Sequence, residues 1–249
     1  MNGWVGIGRS DIGLVRAMNQ DAFITIDHLG FWAVADGMGG HVGGEVAAQT
    51  AIAASAAHME LSADPLRKHQ CLPADVLTSL IKAAHDAVVG RARLESRLRH
   101  MGTTLVTLLI TPDPSPTAHL AHVGDSRGYL FRDGNLSQLT PDHTVIETYI
   151  RRGVLTPAMA KTHPERHVLT RAVGVAQSAK PDLHSSPLLP SDVLLLCSDG
   201  LTKMLEDADI AAIMARAQGD PIRICDGLIE ESLARGGEDN VTVVVVAQP

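Results

Sequence analysis

Residues 31–37 read Phe31-Trp32-Ala33-Val34-Ala35-Asp36-Gly37, and residues 193–200 read Val193-Leu194-Leu195-Leu196-Cys197-Ser198-Asp199-Gly200. Each is a short apolar run that ends at an aspartate followed by glycine. Runs of this length without polar alternation fit strands buried on both faces. The same ending recurs in His119-Leu120-Ala121-His122-Val123-Gly124-Asp125. Asp239-Asn240 stands just before a valine-rich run at residues 241–247, and Asp21 precedes a strand candidate at residues 22–27. Acids therefore sit at the rims of several buried strands.

The ordinary reading of an Asp-Gly pair is a turn. Asp133-Gly134, between Phe131 and Leu136, is read as a two-residue hairpin turn. Several acids at strand ends need another account, because such ends can converge on one cleft. Converging carboxylates repel, and burying them unpaired costs several kcal/mol. Divalent cations remove that cost. The candidate ligands are all oxygen donors, with no cysteine or histidine cluster, which suits Mg2+ or Mn2+ better than Zn2+. Two such ions, about 3.5–4 Å apart, can activate a shared water for in-line attack on a phosphate ester.

Further strand candidates lie at residues 4–9, 31–35, 103–110, 118–123, 128–132 and 193–197, each short and apolar or β-branched. Helices are expected over residues 44–60, 74–97, 144–152, 208–217 and 221–235. In the first, Val46, Thr50, Ala53, Ala54 and Ala57 share a stripe; in the second, Val76, Leu80, Ala83, Ala84 and Ala87 do. Residues 111–116 hold three prolines and read as a surface loop, and residues 61–73 read as a connection. Blocks of strands and blocks of helices imply antiparallel sheets covered by helices, not a βαβ alternation.

A chain of 249 residues suits one α/β or β-sandwich domain. The net charge of −7, with no basic tract, argues against nucleic acid or an anionic membrane as partner. Aromatics at 3% argue against base-stacking surfaces and leave the core to aliphatic side chains. Cys71, Cys197 and Cys225 are odd in number and lack a CxxC pair, so no disulfide framework or zinc site is expected. No basic-then-apolar leader opens the chain, and the apolar run near residues 241–247 is far too short to span a bilayer. A cytoplasmic protein in a reducing compartment is expected.

The motifs in order are Ser10-Asp11-Ile12-Gly13-Leu14-Val15-Arg16-Ala17-Met18-Asn19-Gln20-Asp21, Asp36-Gly37-Met38-Gly39-Gly40-His41, Met101-Gly102-Thr103-Thr104 and Val123-Gly124-Asp125-Ser126-Arg127. Leu139-Thr140-Pro141-Asp142-His143, Leu169-Thr170-Arg171-Ala172-Val173-Gly174, Ser198-Asp199-Gly200-Leu201 and Glu238-Asp239-Asn240-Val241-Thr242 follow. Together they resemble the PPM/PP2C family of metal-dependent protein serine/threonine phosphatases, in particular its stand-alone bacterial catalytic domains. The resemblance implies an α+β fold: a β-sandwich of two antiparallel sheets flanked by helices on both sides, one domain over residues 1–249 with a flap-like insertion at about 142–171.

It further implies that Asp36 bridges two metals, that the Gly37 carbonyl binds one of them, and that Asp199 and Asp239 complete the second site. Asp21 would act through a metal-bound water, and Asp125 matches a position that helps hold a third ion in bacterial members. Two residues depart from the family pattern. Gln20 replaces a frequent glutamate, and Lys203 stands where several bacterial members carry an aspartate that binds the third metal. An ammonium cannot ligate a cation, so any third ion is expected to be weakly held on Asp125, unless Asp125 pairs with Lys203 instead. Arg16 matches the family's phosphate-binding arginine, whose fork suits two phosphate oxygens.

His41 is assigned the proton for the leaving alkoxide, since histidine titrates near neutrality. The implied partners are phosphorylated proteins, namely a bacterial Ser/Thr kinase and its substrates, met by a monomer. The flap arginines Arg151, Arg152 and Arg166 are solvated residues that could touch such partners. Met101 to Thr104 and Asn240 read as structural supports.

Three rival chemistries are set against this. The glycines at 37, 39, 40, 43 and 44 lack the Lys-Ser/Thr of a P-loop. Gly124-Asp125-Ser126-Arg127-Gly128 is a literal GxSxG, but that elbow needs a helix after the serine and here a strand is expected. No cysteine lies in a Cys-x5-Arg loop, and Cys197 ends an apolar strand as a buried thiol. A non-catalytic phosphoprotein-binding module on the same fold is the remaining alternative.

Overall fold

The computed structural model describes residues 3–39, 42–112, 115–160, 162–175 and 179–248. Among the described residues, eleven strands form two sheets. The first contains β1 (Val5–Asp11), β11 (Val241–Ala247), β10 (Val193–Cys197), β7 (Arg127–Arg132) and β8 (Asn135–Gln138), in that order. The second contains β2 (Asp21–Ile26), β3 (Phe31–Met38), β5 (Leu105–Thr111), β6 (Thr117–Val123) and β9 (Asp182–Pro187), with the short β4 (Gly102–Thr103) on the end of β3. All of these pairings are antiparallel.

Each central strand is buried on both faces, which explains the unbroken apolar runs. Phe31, Ala33 and Ala35 of β3 pack under the helices α1 (Gly43–Arg67) and α2 (Pro73–Leu94). Trp32 and Val34, on the opposite face, meet Leu194, Leu196, Val244 and Val246 between the sheets. Leu195 and Cys197 turn outward with Val243 and Val245 beneath α6 (Asp207–Arg216) and α7 (Pro221–Ala234). Alternation at a period of two thus feeds three cores and gives four layers, helices-sheet-sheet-helices, as the resemblance implies. Helix α7 starts where Asp220 accepts the Ile222 and Arg223 N–H groups and Pro221 opens the first turn.

Two expectations are corrected, and two elements appear that none anticipated. Helix α1 runs on to Arg67, with Pro65 inside its last turns, so residues 61–67 are helix rather than connection. Its buried stripe is Ala47, Ala48, Ala51, Ser55 and Met59, not the stripe through Ala53 and Ala57, both exposed. The helix is so rich in alanine that apolarity marks no single face, and close packing on β3 selects the stripe. Residues 199–204 form a helix, α5 (Asp199–Met204), directly after β10. Strand β9 escapes notice because Asp182-Leu183-His184-Ser185-Ser186-Pro187 is polar, as a sheet edge tolerates. The Asp133-Gly134 hairpin is as read, with both residues at positive φ (51° and 79°) between β7 and β8. Asp113 and Pro114, within the proline-rich loop, lie outside the described residues.

Between β8 and β9 lie α3 (Val145–Arg151) and α4 (Pro157–Ala160). The Val145 N–H donates to Val168 O and the Thr170 N–H to His143 O, pinning the two ends of this segment together. Arg151 closes on Glu147 at 2.9 Å. No helix among the described residues is long and apolar enough to cross a membrane.

Candidate active site

One end of the sandwich opens into a cleft of ≈ 780 Å³. Asp36, Gly37, Asp125, Asp199, Asp239 and Arg16 all line it. Asp36 comes from β3 in one sheet. Asp199 follows β10 in the other, Asp239 precedes β11, and Asp125 sits in the turn where the chain crosses from β6 to β7 between the sheets. The strand ends therefore do converge.

The two catalytic-looking glycines serve close approach rather than turns. A Cβ on Gly37 would lie 2.0 Å from Gly44 O, so only glycine lets the end of β3 touch the start of α1. A Cβ on Gly200 would lie 1.9 Å from Asn240 O, which sets Asp199 against Asp239.

Hydrogen bonds fix the backbone around each acid. The Asp36 N–H donates to Thr104 Oγ1 at 3.0 Å, and Asp36 O accepts from the Thr104 N–H and Thr103 Oγ1, both at 2.9 Å. Ser198 Oγ donates to Asp21 Oδ2 at 2.7 Å and so joins the two sheets. The buried Asn240 amide accepts the Gln20 N–H at 2.9 Å and donates to Ile12 O and Met18 O, at 2.9 and 3.0 Å, holding the loop that carries Arg16. Thr103, Thr104 and Asn240 thus hold the main chain around the acids.

The carboxylates crowd each other. Burial, then Asp21, Asp199 and Asp125, push the Asp36 carboxyl well above the usual carboxylate range. Burial raises Asp21 to about 6 and Asp125 to about 7, with neighbouring acids adding to both. Asp239 goes the other way: burial would raise it, but hydrogen bonds from Lys203 and Arg16 hold it below its ordinary value. The Arg16 fork closes on Asp239, Nε to Oδ1 at 2.7 Å and Nη2 to Oδ2 at 2.9 Å. Lys203 does not pair with Asp125. Its Nζ lies 2.6 Å from Asp199 Oδ2 and 2.8 Å from Asp239 Oδ2, because one helical turn of α5 stacks Lys203 over Asp199.

Among the described residues, no three acidic, histidine or cysteine side chains are gathered into a ready-made ion cage. Lys203 and Arg16 pair with both oxygens of Asp239 and one of Asp199. The donor set still fits a hard divalent cation. It is all oxygen, and two of its atoms, Asp21 Oδ1 and Asp199 Oδ1, are buried with no hydrogen-bond partner. Orphaned buried acceptors at a functional cleft point to an absent ion or water.

His41 and Gly40 lie outside the described residues. The cleft also contains His100, His167 and Arg171, to which the sequence reading gave no role. Arg171 lies within the motif at residues 169–174 and donates to Asp182 Oδ1 of β9 at 2.5 Å. His143 accepts the Gly124 N–H at Nδ1, 3.2 Å away, with Nε2 3.2 Å from Asp182 Oδ2. Burial, then His122 stacked on it, lowers His143 to about 4, so it stays neutral and steadies the Asp125 turn.

The rivals fare badly. Ser126 is buried, bonded to Thr104 Oγ1 at 2.6 Å, and followed by β7 rather than a helix. Cys197 is buried beneath the α6–α7 layer, where burial pushes its thiol up to about 12.

Residues 8–222 match the family model described as protein phosphatase 2C. The chain belongs to this family. It is 40% identical over 240 residues to the serine/threonine protein phosphatase PstP of Mycobacterium tuberculosis (strain H37Rv), covering 95% of this chain and 43% of that protein. It thus spans less than half of that relative. The serine/threonine phosphatase stp of Listeria welshimeri is 35% identical over 246 residues, 96% of this chain and 93% of that one. Among solved phosphatase 2C structures, the catalytic domain of PstP in complex with two manganese ions superposes with a TM-score of 0.83 at 35% identity, covering 98% of this chain and 97% of that one. The two antiparallel sheets and their flanking helices are this family's fold.

Proposed function

We propose that the chain hydrolyses phosphoserine and phosphothreonine esters on proteins. One observation carries the reading: aspartates from both sheets meet in a single cleft, beside an arginine fork and two buried carboxylate oxygens without partners. Asp36, the Gly37 carbonyl, Asp199 and Asp239 would hold two Mn2+ or Mg2+ ions, with Asp21 acting through a bound water and Asp125 beside them. Such ions activate water and neutralise the phosphoryl oxygens.

The chain's own residues do the rest. Arg16, exposed at the mouth, holds a carboxylate in a two-pronged grip that would serve a phosphate equally. Thr103 and Thr104 fix the Asp36 main chain, which keeps the central carboxylate in place. His41 is assigned the leaving-group proton from its place in the sequence. The segment at 142–171 borders the cleft through His167, Leu169, Thr170 and Arg171, and acts as the flap where a phosphorylated partner lies. The expected partners are a Ser/Thr kinase and its substrates, met in the cytoplasm by a monomer.

Phosphate release from phosphoserine and phosphothreonine peptides tests this. Release should require Mn2+ or Mg2+, cease with a chelator and resist serine-directed fluorophosphonates. Turnover that survives the chelator would end the reading. Metal and phosphopeptide binding without turnover would favour the non-catalytic module.

A further inference from the structure

The acidic cluster is bridged from within. Among the described residues, Lys203 is the one side chain with ion pairs to both Asp199 and Asp239. It is no ordinary surface lysine: 24% of its side chain is exposed, and its carboxylate partners are 17% and 16% exposed. Those partners are the two acids assigned above to a single cation, and Asp199 keeps its other oxygen buried and unpartnered.

We propose that Lys203 is a tethered counter-ion that occupies the Asp199–Asp239 pair in the metal-free protein and must leave it before a divalent cation binds there. The inference rests on reading Asp36, Asp199 and Asp239 as a metal centre. An ammonium offers no lone pair, so it cannot share a coordination sphere. Held within ion-pair distance of a divalent ion in a half-buried site, it would meet strong repulsion. Metal uptake is therefore an exchange of one cation for another. The protein gains a compensated cluster when metal is scarce and loses metal affinity in proportion. A bridge closed nine-tenths of the time weakens apparent binding about tenfold.

Direct Mn2+ titration of the chelator-stripped full chain, by calorimetry, tests the exchange in wild type, Lys203→Met, Lys203→Gln and Lys203→Arg. Lys203→Met and Lys203→Gln should bind Mn2+ about tenfold more tightly than wild type. In chelator they should melt at a lower temperature than wild type and gain more from added Mn2+. Lys203→Arg keeps the charge and should stay within about threefold of wild type on the same argument. Should Lys203→Met not remain folded without metal, Lys203→Gln decides, since its amide still donates to a carboxylate. Unchanged Mn2+ affinity in the neutral variants, or Lys203→Arg behaving like them, overturns the bridge while leaving the metal centre standing. If neither wild type nor any variant bound Mn2+, both readings would fall.

Discussion

Asp21 and Asp36 stand directly opposite each other across the β2–β3 ladder, two carboxylates in one antiparallel register. Like charges so placed destabilise a sheet. Burial and the neighbouring acids raise both carboxyls, so without metal each keeps its proton to a higher pH than usual. The native carboxyl of Asp21 sits near 6, above an unfolded value near 4, so its contribution to stability is complete below the unfolded value. It drains away as pH rises through 6. In chelator, wild type should therefore lose stability relative to Asp21→Asn between about pH 4 and 7, by a few kcal/mol at most. Paired thermal melts across that range would measure it. A constant difference would mean that the Asp21 carboxyl titrates in the fold as it does in the unfolded chain.

Asp36 is the carboxylate on which the other acids press. Replacing it with alanine should lower kcat by about a thousandfold or more, because removing a metal-centred nucleophile system costs several kcal/mol of transition-state stabilisation. Far-UV circular dichroism should stay native, since the strand backbone is held by Thr103 and Thr104. Unchanged turnover in a folded variant refutes the mechanism.

Arg16 closes on Asp239 from an exposed position at the mouth of the cleft. Arg16→Ala should raise KM about tenfold with a smaller change in kcat, the mark of an interaction made in the ground state. An unaltered KM removes Arg16 from the phosphate site.

Gly200→Ala inserts a methyl 1.9 Å from Asn240 O, a backbone atom that cannot rotate away. Overpacking of this kind costs about 1–3 kcal/mol, and calorimetry should show it as a lower Tm. The displacement also separates Asp199 from Asp239, so Mn2+ affinity should drop in the same variant. A variant with native Tm and native affinity would show that β11 can shift freely.

The sequence carried most of this architecture because the central strands are buried on both faces. Val193–Cys197 and Val241–Ala247 leave no polar position to confuse the reading beyond Thr242. The acids were legible for the same reason, standing at abrupt ends of apolar runs. Helix α5 was not, since six residues that open with an Asp-Gly pair look like a turn. Nor were His100, His167 and Arg171, which reach the cleft through tertiary packing and lie in no periodic segment. The partner of Lys203 also escaped: an i,i+4 pairing with Asp199 needs the helix that went unseen.

Both sheets contribute acids to the cleft, Asp36 from one and Asp199 and Asp239 from the other, and the packing of Trp32 and Val34 on Leu194, Leu196, Val244 and Val246 keeps the halves aligned. The ion site is therefore a gauge of sandwich alignment. A small slip between the layers, too slight to unfold anything, would register first as weakened cation binding. Substitutions deep in that apolar seam, far from any ligand, should consequently behave as functional lesions before they behave as folding ones.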